Sequence, residues 1–158
     1  THDQSSAASD VYKRQDVPVV GFSGDGAFGI AVNELTAIGR EEWPAVTQIV
    51  FRNYQWGAEK RNSTLWYDDN FVGTELDTQV SYAGIAKACG LQGVVAKTMD
   101  ELTEALHTAI KDQMENGKTT LIEAMINQEL GEPFRRDAMK KPVAVAGVSA
   151  SDMREQVV

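Results

Sequence analysis

Apolar residues follow two different periods along this chain. Runs at 17–22 and 45–51, rich in Val, Ile and Phe, and a third at 119–125 read as strands buried on both sides, with a shorter strand at 93–96. Between them the apolar positions recur at helical spacing. One helix begins directly after the glycine-rich stretch at 24–26 and runs through Leu35 and Ile38 to about Arg40. Tyr82, Ile85, Ala86 and Cys89 form the face of another, which Gly90 is placed to end. Thr98 and Glu101 have capping-box spacing ahead of Leu102, Ala105, Leu106, Ala109, Ile110 and Met114, a face that stops at Gly117. The stretch 58–78 is polar and aromatic and reads as a loop with a short helix. Strands buried on both sides, separated by amphipathic helices, predict an α/β fold: a parallel sheet with helices on both faces.

That fold directs attention to the carboxyl ends of its strands, where ligands of open α/β sheets bind. The first strand delivers Asp25 between Gly24 and Gly26, and the second ends in Arg52-Asn53. A carboxylate and a carboxamide thus share one edge of the sheet, beside a helix start. Mg²⁺ takes six oxygens, usually only one or two of them from carboxylates and the rest from phosphates and water. One Asp, one Asn oxygen and a backbone carbonyl would leave room for two phosphate oxygens and a water. Gly24 and Gly26 allow backbone angles and a close approach that a side chain would block, and the helix start offers N–H groups to an anion. By itself Gly-Asp-Gly also reads as an ordinary turn; the asparagine after a second strand is what favours the cation.

Gly24-Asp25-Gly26, the spacer 27–51 and Arg52-Asn53 together resemble the thiamine diphosphate-binding motif of the acetolactate synthase and pyruvate decarboxylase superfamily. The resemblance implies thiamine diphosphate and Mg²⁺ as cofactors. It implies Asp25, Asn53 and the backbone carbonyl of Gln55 as metal ligands, with Gly24, Gly26, Ala27, Trp56 and Gly57 also lining the cofactor. Arg52 departs from the motif, which usually has a first Asn there, so the packing beneath the site is expected to differ. Three stretches, 33–40, 52–60 and 131–138, are most similar to the sulfoacetaldehyde acetyltransferase branch of the superfamily. That likeness implies conversion of sulfoacetaldehyde and phosphate to acetyl phosphate and sulfite, in taurine and other sulfonate catabolism. It further implies a homodimer or homotetramer with shared sites, and an activating glutamate supplied by a domain not matched here. No catalytic residue is therefore expected within this chain, and the chain alone is expected to be inactive. An acetolactate-type carboligase or 2-oxo acid decarboxylase is the alternative with the same cofactor. A non-catalytic α/β domain, in which the turn and Asn53 are structural, is the other.

The chain has 158 residues and a net charge of −8, the size of a single domain and the wrong sign for a nucleic-acid surface. Its one cysteine, Cys89, excludes an internal disulfide and fits a reducing cytoplasm, with packing as its role. No apolar stretch approaches the length needed to span a membrane. Residues 1–15 are small and polar without an apolar period. Their end resembles a translated adapter sequence, which would make them foreign and the chain part of a longer protein; a disordered leader is the other reading. Residues 16–130 are expected to form the cofactor-binding domain and 131–158 a C-terminal tail.

Rival motifs are weaker. The run from Asp68 starts like a calcium loop, but Val72 and Gln79 occupy positions that need oxygen-rich ligands. Gly24, Gly26 and Gly29 match a dinucleotide fingerprint in form, yet Asp25 would repel a pyrophosphate unless a cation intervened. His107 reads as a surface residue. Trp56, Glu59, Lys60, Arg61, Trp66 and Tyr67 form either a lid over a cofactor or a subunit contact. Arg135 and Arg136 lie in either a solvated basic turn or a contact to sulfonate or phosphate, since guanidinium suits forked recognition of oxyanions.

Overall fold

A computed structural model describes residues 16–40 and 43–130 and the strand residues 144–145 and 148–149. The leader 1–15, the arginines at 135 and 136, and nearly all of the tail lie outside the described residues. The described chain divides into two compact units, one holding residues up to Tyr54 and Asp77–Asn127, the other Gln55–Leu76 and residues from Gln128 onward.

The first unit is built on a parallel sheet of four strands: β1 (Val20–Gly24), β2 (Thr47–Arg52), β3 (Gln92–Ala96) and β4 (Thr120–Met125), in the order β1-β2-β4-β3. Register is fixed by pairs such as Gly24 with Phe51 and Arg52 with Met125, which bring the ends of β1, β2 and β4 to one edge. Helices cover both faces, as the alternation predicts. On one face Val50 and Leu121 pack against Leu35, Tyr82, Ala83 and Ala86, from α2 (Leu35–Ile38) and α4 (Tyr82–Ala88). On the other, Ile49, Ile122 and Ala124 pack against Ala105 and Ala109 of α5 (Met99–Asn116). Residues two apart on a strand share a face, so Arg52 and Glu123 lie with Val50 and Leu121, beneath α4.

The element ends have chemical causes. Thr98 Oγ1 accepts from the Glu101 N–H at 3.2 Å, and Glu101 reaches back to the Lys97 N–H at 2.6 Å, so the predicted capping box forms with its return bond one residue early. Gly117 closes α5 at φ 60°, and Gly90 follows α4 at φ 83°. At the amino end of the sheet the bonds of the buried Thr47, Gln113 and Thr120 are neutral. Thr47 Oγ1 donates to Gln113 Oε1 at 3.1 Å, Gln113 Nε2 donates to the Ala45 carbonyl at 2.9 Å, and Thr120 Oγ1 donates to Gln92 Oε1 at 2.8 Å. These pairs satisfy groups that burial would otherwise strand.

Two sequence expectations need correction. The first strand is neither at 17–22 nor buried on both sides: β1 starts at Val20, none of its residues is fully buried, and Phe22 is 65 % exposed. It is an edge strand with a single neighbour, and Phe22 stacks on Phe51 with centroids 6.2 Å apart. The helix expected up to Arg40 is broken into α1 (Asp25–Ile30), a 3-10 turn at Val32–Glu34 and α2. Gly26 and Gly29 weaken it, and Gly29 is where the Tyr82 hydroxyl arrives: a Cβ there would lie 2.7 Å from that oxygen.

The second unit contains α3 (Gly57–Trp66), ten residues where the sequence predicts a short helix, with none of them fully buried. Gln55 forms an antiparallel bridge with Glu75, and the Trp56 N–H donates to the Thr74 carbonyl at 2.7 Å. Lys60 pairs with Glu75 and sits 5.4 Å from the Phe71 ring centroid. β5 (Ala144–Val145) and β6 (Val148–Ser149) form an antiparallel pair.

Candidate functional site

The carboxyl edge of the sheet holds an Asp25 carboxylate that is 2 % exposed and surrounded by donors. Its Oδ2 accepts from the Tyr54 N–H at 2.7 Å, the Asn53 N–H at 3.1 Å and Arg52 Nη1 at 3.3 Å, and its Oδ1 from the Gly26 N–H at 3.0 Å. The end of β1 is thereby joined to the end of β2, with the backbone of Asn53 against the Asp25 carboxylate. Tyr54 has φ 60°, a left-handed conformation that costs a non-glycine residue free energy. In that conformation the N–H of Tyr54 reaches Asp25. Such local strain is common where a site must be held in one shape.

Arg52 is the residue whose packing the sequence left in doubt. It is 1 % exposed and reaches several partners. Besides Asp25, its Nη2 donates to the carbonyls of Asp77 at 2.6 Å and Val80 at 3.0 Å. Its Nε lies 3.4 Å from Glu123 Oε1, an ion pair without hydrogen-bond alignment. The guanidinium also faces the rings of Tyr54 and Tyr82, 4.2 and 4.9 Å from their centroids. Glu123, 3 % exposed in the middle of β4, accepts from Ser81 Oγ at 2.9 Å and from the Ala83 N–H at 3.1 Å, at the start of α4. The Tyr82 hydroxyl donates to the backbone carbonyl of Asp25 at 3.0 Å. Burial pushes the Tyr82 pKa above its ordinary value, and Asp25 and Glu123 add to that rise while Arg52 opposes it.

Glu123, Tyr82 and the wiring of Arg52 were not anticipated from the sequence. One signal was there: a Glu inside the apolar run 119–125 must be paired if that run is a buried strand.

The other expected residues divide. Ala27 is exposed in the first turn of α1. Gly24 has φ −76° and ψ 158°, angles open to any residue, so special backbone angles are not why glycine stands there. A Cβ at Gly24 would meet nothing within 4 Å, so the space beside it is open. Gln55, Trp56 and Gly57 belong to the second unit, where Gln55 is buried and its Nε2 donates to the Gln128 carbonyl at 3.0 Å.

A hard cation fits the donors present. The Asp25 carboxylate and the Asn53 carboxamide would offer oxygen ligands, with no thiolate or imidazole among the residues brought together here. Among the described residues no three His, Cys, Asp or Glu side chains stand together as a metal cage. An ion at Asp25 and Asn53 would draw the rest of its shell from phosphate and water, as Mg²⁺ does.

The family model described as "Thiamine pyrophosphate enzyme, C-terminal TPP binding domain" matches residues 5–124. The chain belongs to that family. It is 86 % identical over 143 residues to the sulfoacetaldehyde acetyltransferase of Roseovarius nubinhibens, covering 90 % of this chain and 24 % of the relative. It is 79 % identical over 141 residues to the enzyme of the same name from Rhodobacter capsulatus, covering 89 % of this chain and 24 % of the relative. Among solved structures, the benzoylformate decarboxylase of Polynucleobacter necessarius superimposes with a TM-score of 0.65 at 26 % identity, covering 79 % of this chain and 22 % of that one. The chain thus spans about a quarter of the length of the curated relatives it matches. As a thiamine pyrophosphate-binding domain, it has Asp25 and Asn53 at the sheet edge where its fold class places ligands. Among the described residues no helix is long and apolar enough to cross a membrane.

Proposed function

We propose that this chain is the metal- and diphosphate-anchoring part of an acetyltransferase that converts sulfoacetaldehyde and phosphate to acetyl phosphate and sulfite. One observation supports the anchoring role: the buried Asp25 carboxylate lies 3.1 Å from the backbone N–H of Asn53, so the two residues stand side by side at the ends of two strands. The choice of reaction is supported by 86 % identity, over nine-tenths of this chain, to a relative of that name.

In this reading Asp25 and Asn53 would hold Mg²⁺, whose charge would offset that of the diphosphate, and the open space beside Gly24 would admit the ligand. When bound, thiamine diphosphate supplies a nucleophilic carbon and an electron sink for a carbonyl substrate. The residues of this chain bind and orient. The Arg52, Asn53 and Tyr54 donors fix the direction of the Asp25 carboxylate before any ligand arrives. The proton-moving glutamate comes from elsewhere in the complete protein, which works in the cytoplasm as a homodimer or homotetramer. The edge strand β1, with Phe22 exposed, accords with such assembly.

The test uses the Roseovarius relative with its matching 143 residues exchanged for those of this chain. Release of sulfite from sulfoacetaldehyde with formation of acetyl phosphate is expected, and loss of both in Asp25→Asn. Carbon dioxide release from pyruvate, with sulfoacetaldehyde untouched, would move the assignment to the decarboxylases.

A further inference from the structure

The buried charges extend past the metal site, and their arrangement has a direction. Glu123 holds the start of α4 through Ser81 and Ala83. Arg52 bridges Glu123 to Asp25 and takes the carbonyls of Asp77 and Val80 with its remaining nitrogen. Tyr82, in the first turn of α4, returns to the backbone carbonyl of Asp25. Asp25 is therefore gripped at its carboxylate and at its peptide by one connected set of side chains, and the segment 77–83 is tied to that set at Asp77, Val80, Ser81, Tyr82 and Ala83.

We propose that Arg52 is the positioning residue for the metal ligand. It draws Oδ2 of Asp25 inward, so that the carboxylate is set for the ion before binding, and it makes the order of segment 77–80 depend on the same contact. The inference rests on the reading of Asp25 as a ligand to Mg²⁺.

The competing role for Arg52 is charge balance alone, with Glu123 as the only partner that matters. The formal charges allow the two to be separated. Asp25, Glu123 and Arg52 together carry one net negative charge, and replacing Arg52 and Glu123 by Gln together leaves that same net charge. The electrostatic pull on a cation is then held nearly constant while the forked grip on Asp25 is lost.

The experiment is calorimetric titration of Mg²⁺ with thiamine diphosphate into the chimera described above, alongside thermal unfolding of each variant without ligand. Arg52→Gln alone is expected to unfold at lower temperature, because Glu123 and Asp25 lose the cation they share. Adding Glu123→Gln is expected to recover most of that loss but not the affinity, which stays about tenfold or more below the parent, the size typical when a partner of a metal ligand is removed. Amide exchange at 77–80 is expected to quicken in the double variant. Arg52→Lys keeps the charge without the fork, so it is expected to bind weakly too, and it provides the test if the double variant unfolds. Parent-like affinity in a folded double variant, or in Arg52→Lys, overturns the positioning role. The underlying reading has its own control. An Asp25→Asn variant that binds Mg²⁺ as tightly as the parent, or a parent chimera that binds neither Mg²⁺ nor thiamine diphosphate, would sink that reading instead.

Discussion

The two ends of the parallel sheet bury polar groups in different ways. At the amino end the partners of the buried threonines are neutral amides, Gln113 for Thr47 and Gln92 for Thr120, with the half-buried Asp112 carboxylate behind Gln92. At the carboxyl end they are ions, and unequal in number: two carboxylates against one guanidinium, all at 3 % exposure or less. Neutral pairs fix the register of strands and helices and have no use for a ligand. An ionic cluster with a carboxylate in excess suits a cation, and Arg52 contacts both of its carboxylates. The asymmetry separates scaffold from site within a single sheet.

Deleting one partner at each end gives the sharpest test of that contrast. Arg52→Ala removes the only cation among three buried charges and is expected to cost about 3–5 kcal/mol, the range for breaking a buried ion pair from one side. Gln113→Ala, which leaves the Thr47 hydroxyl and the Ala45 carbonyl without partners, is expected to cost about 1–3 kcal/mol. Denaturant unfolding of both variants measures the two. Equal losses, or a larger loss at Gln113, would mean that the carboxyl end is not the more strongly coupled of the two.

The same distinction separates what could be read in the sequence from what could not. Apolar runs mark strands, and strand ends locate Asp25 and Asn53, so their shared place at one sheet edge was legible without coordinates. The neutral scaffold was partly legible as well, since Thr98, Glu101, Gly90 and Gly117 act within their own helices. The ionic wiring was not. Arg52 and Glu123 stand on strands separated by α3, α4, β3 and α5, and no local period links them. A Glu within an apolar run showed that some partner had to exist, without showing which. The edge position of β1 was hidden for a related reason: an apolar run does not reveal how many neighbours its strand has. The break between α1 and α2 depends on Gly29 making room for a tyrosine from far along the chain.

A smaller change probes the carboxyl end without altering its formal charge. Tyr82→Phe deletes the hydroxyl that donates to the Asp25 carbonyl and is expected to cost about 1 kcal/mol at neutral pH. Because burial raises the Tyr82 pKa in the fold, the tyrosine contributes stability in full below the pKa it has when unfolded. That contribution fades as pH rises through the folded value. The wild-type chain should therefore lose stability on the alkaline side more steeply than Tyr82→Phe. Parallel alkaline limbs in the two unfolding profiles would show that Tyr82 is not held neutral by its surroundings.

The smallest effect belongs to the amino end, and it runs the opposite way with pH. Asp112 accepts from Gln92 Nε2 at 3.0 Å and from Asn116 Nδ2 at 2.9 Å, and these bonds, Gln92's first, hold its pKa below the ordinary carboxylate value. A depressed pKa stabilises the fold above the unfolded value and ceases to do so as pH falls through the folded one. Removing the Gln92 side chain should bring the Asp112 pKa back toward that of a free carboxylate, visible in an NMR titration. It should also flatten the acid limb of stability slightly, while binding of Mg²⁺ at the far edge stays as before. A change in metal affinity with Gln92→Ala would show that the two ends are energetically joined. The division between a neutral scaffold and an ionic site would then fail.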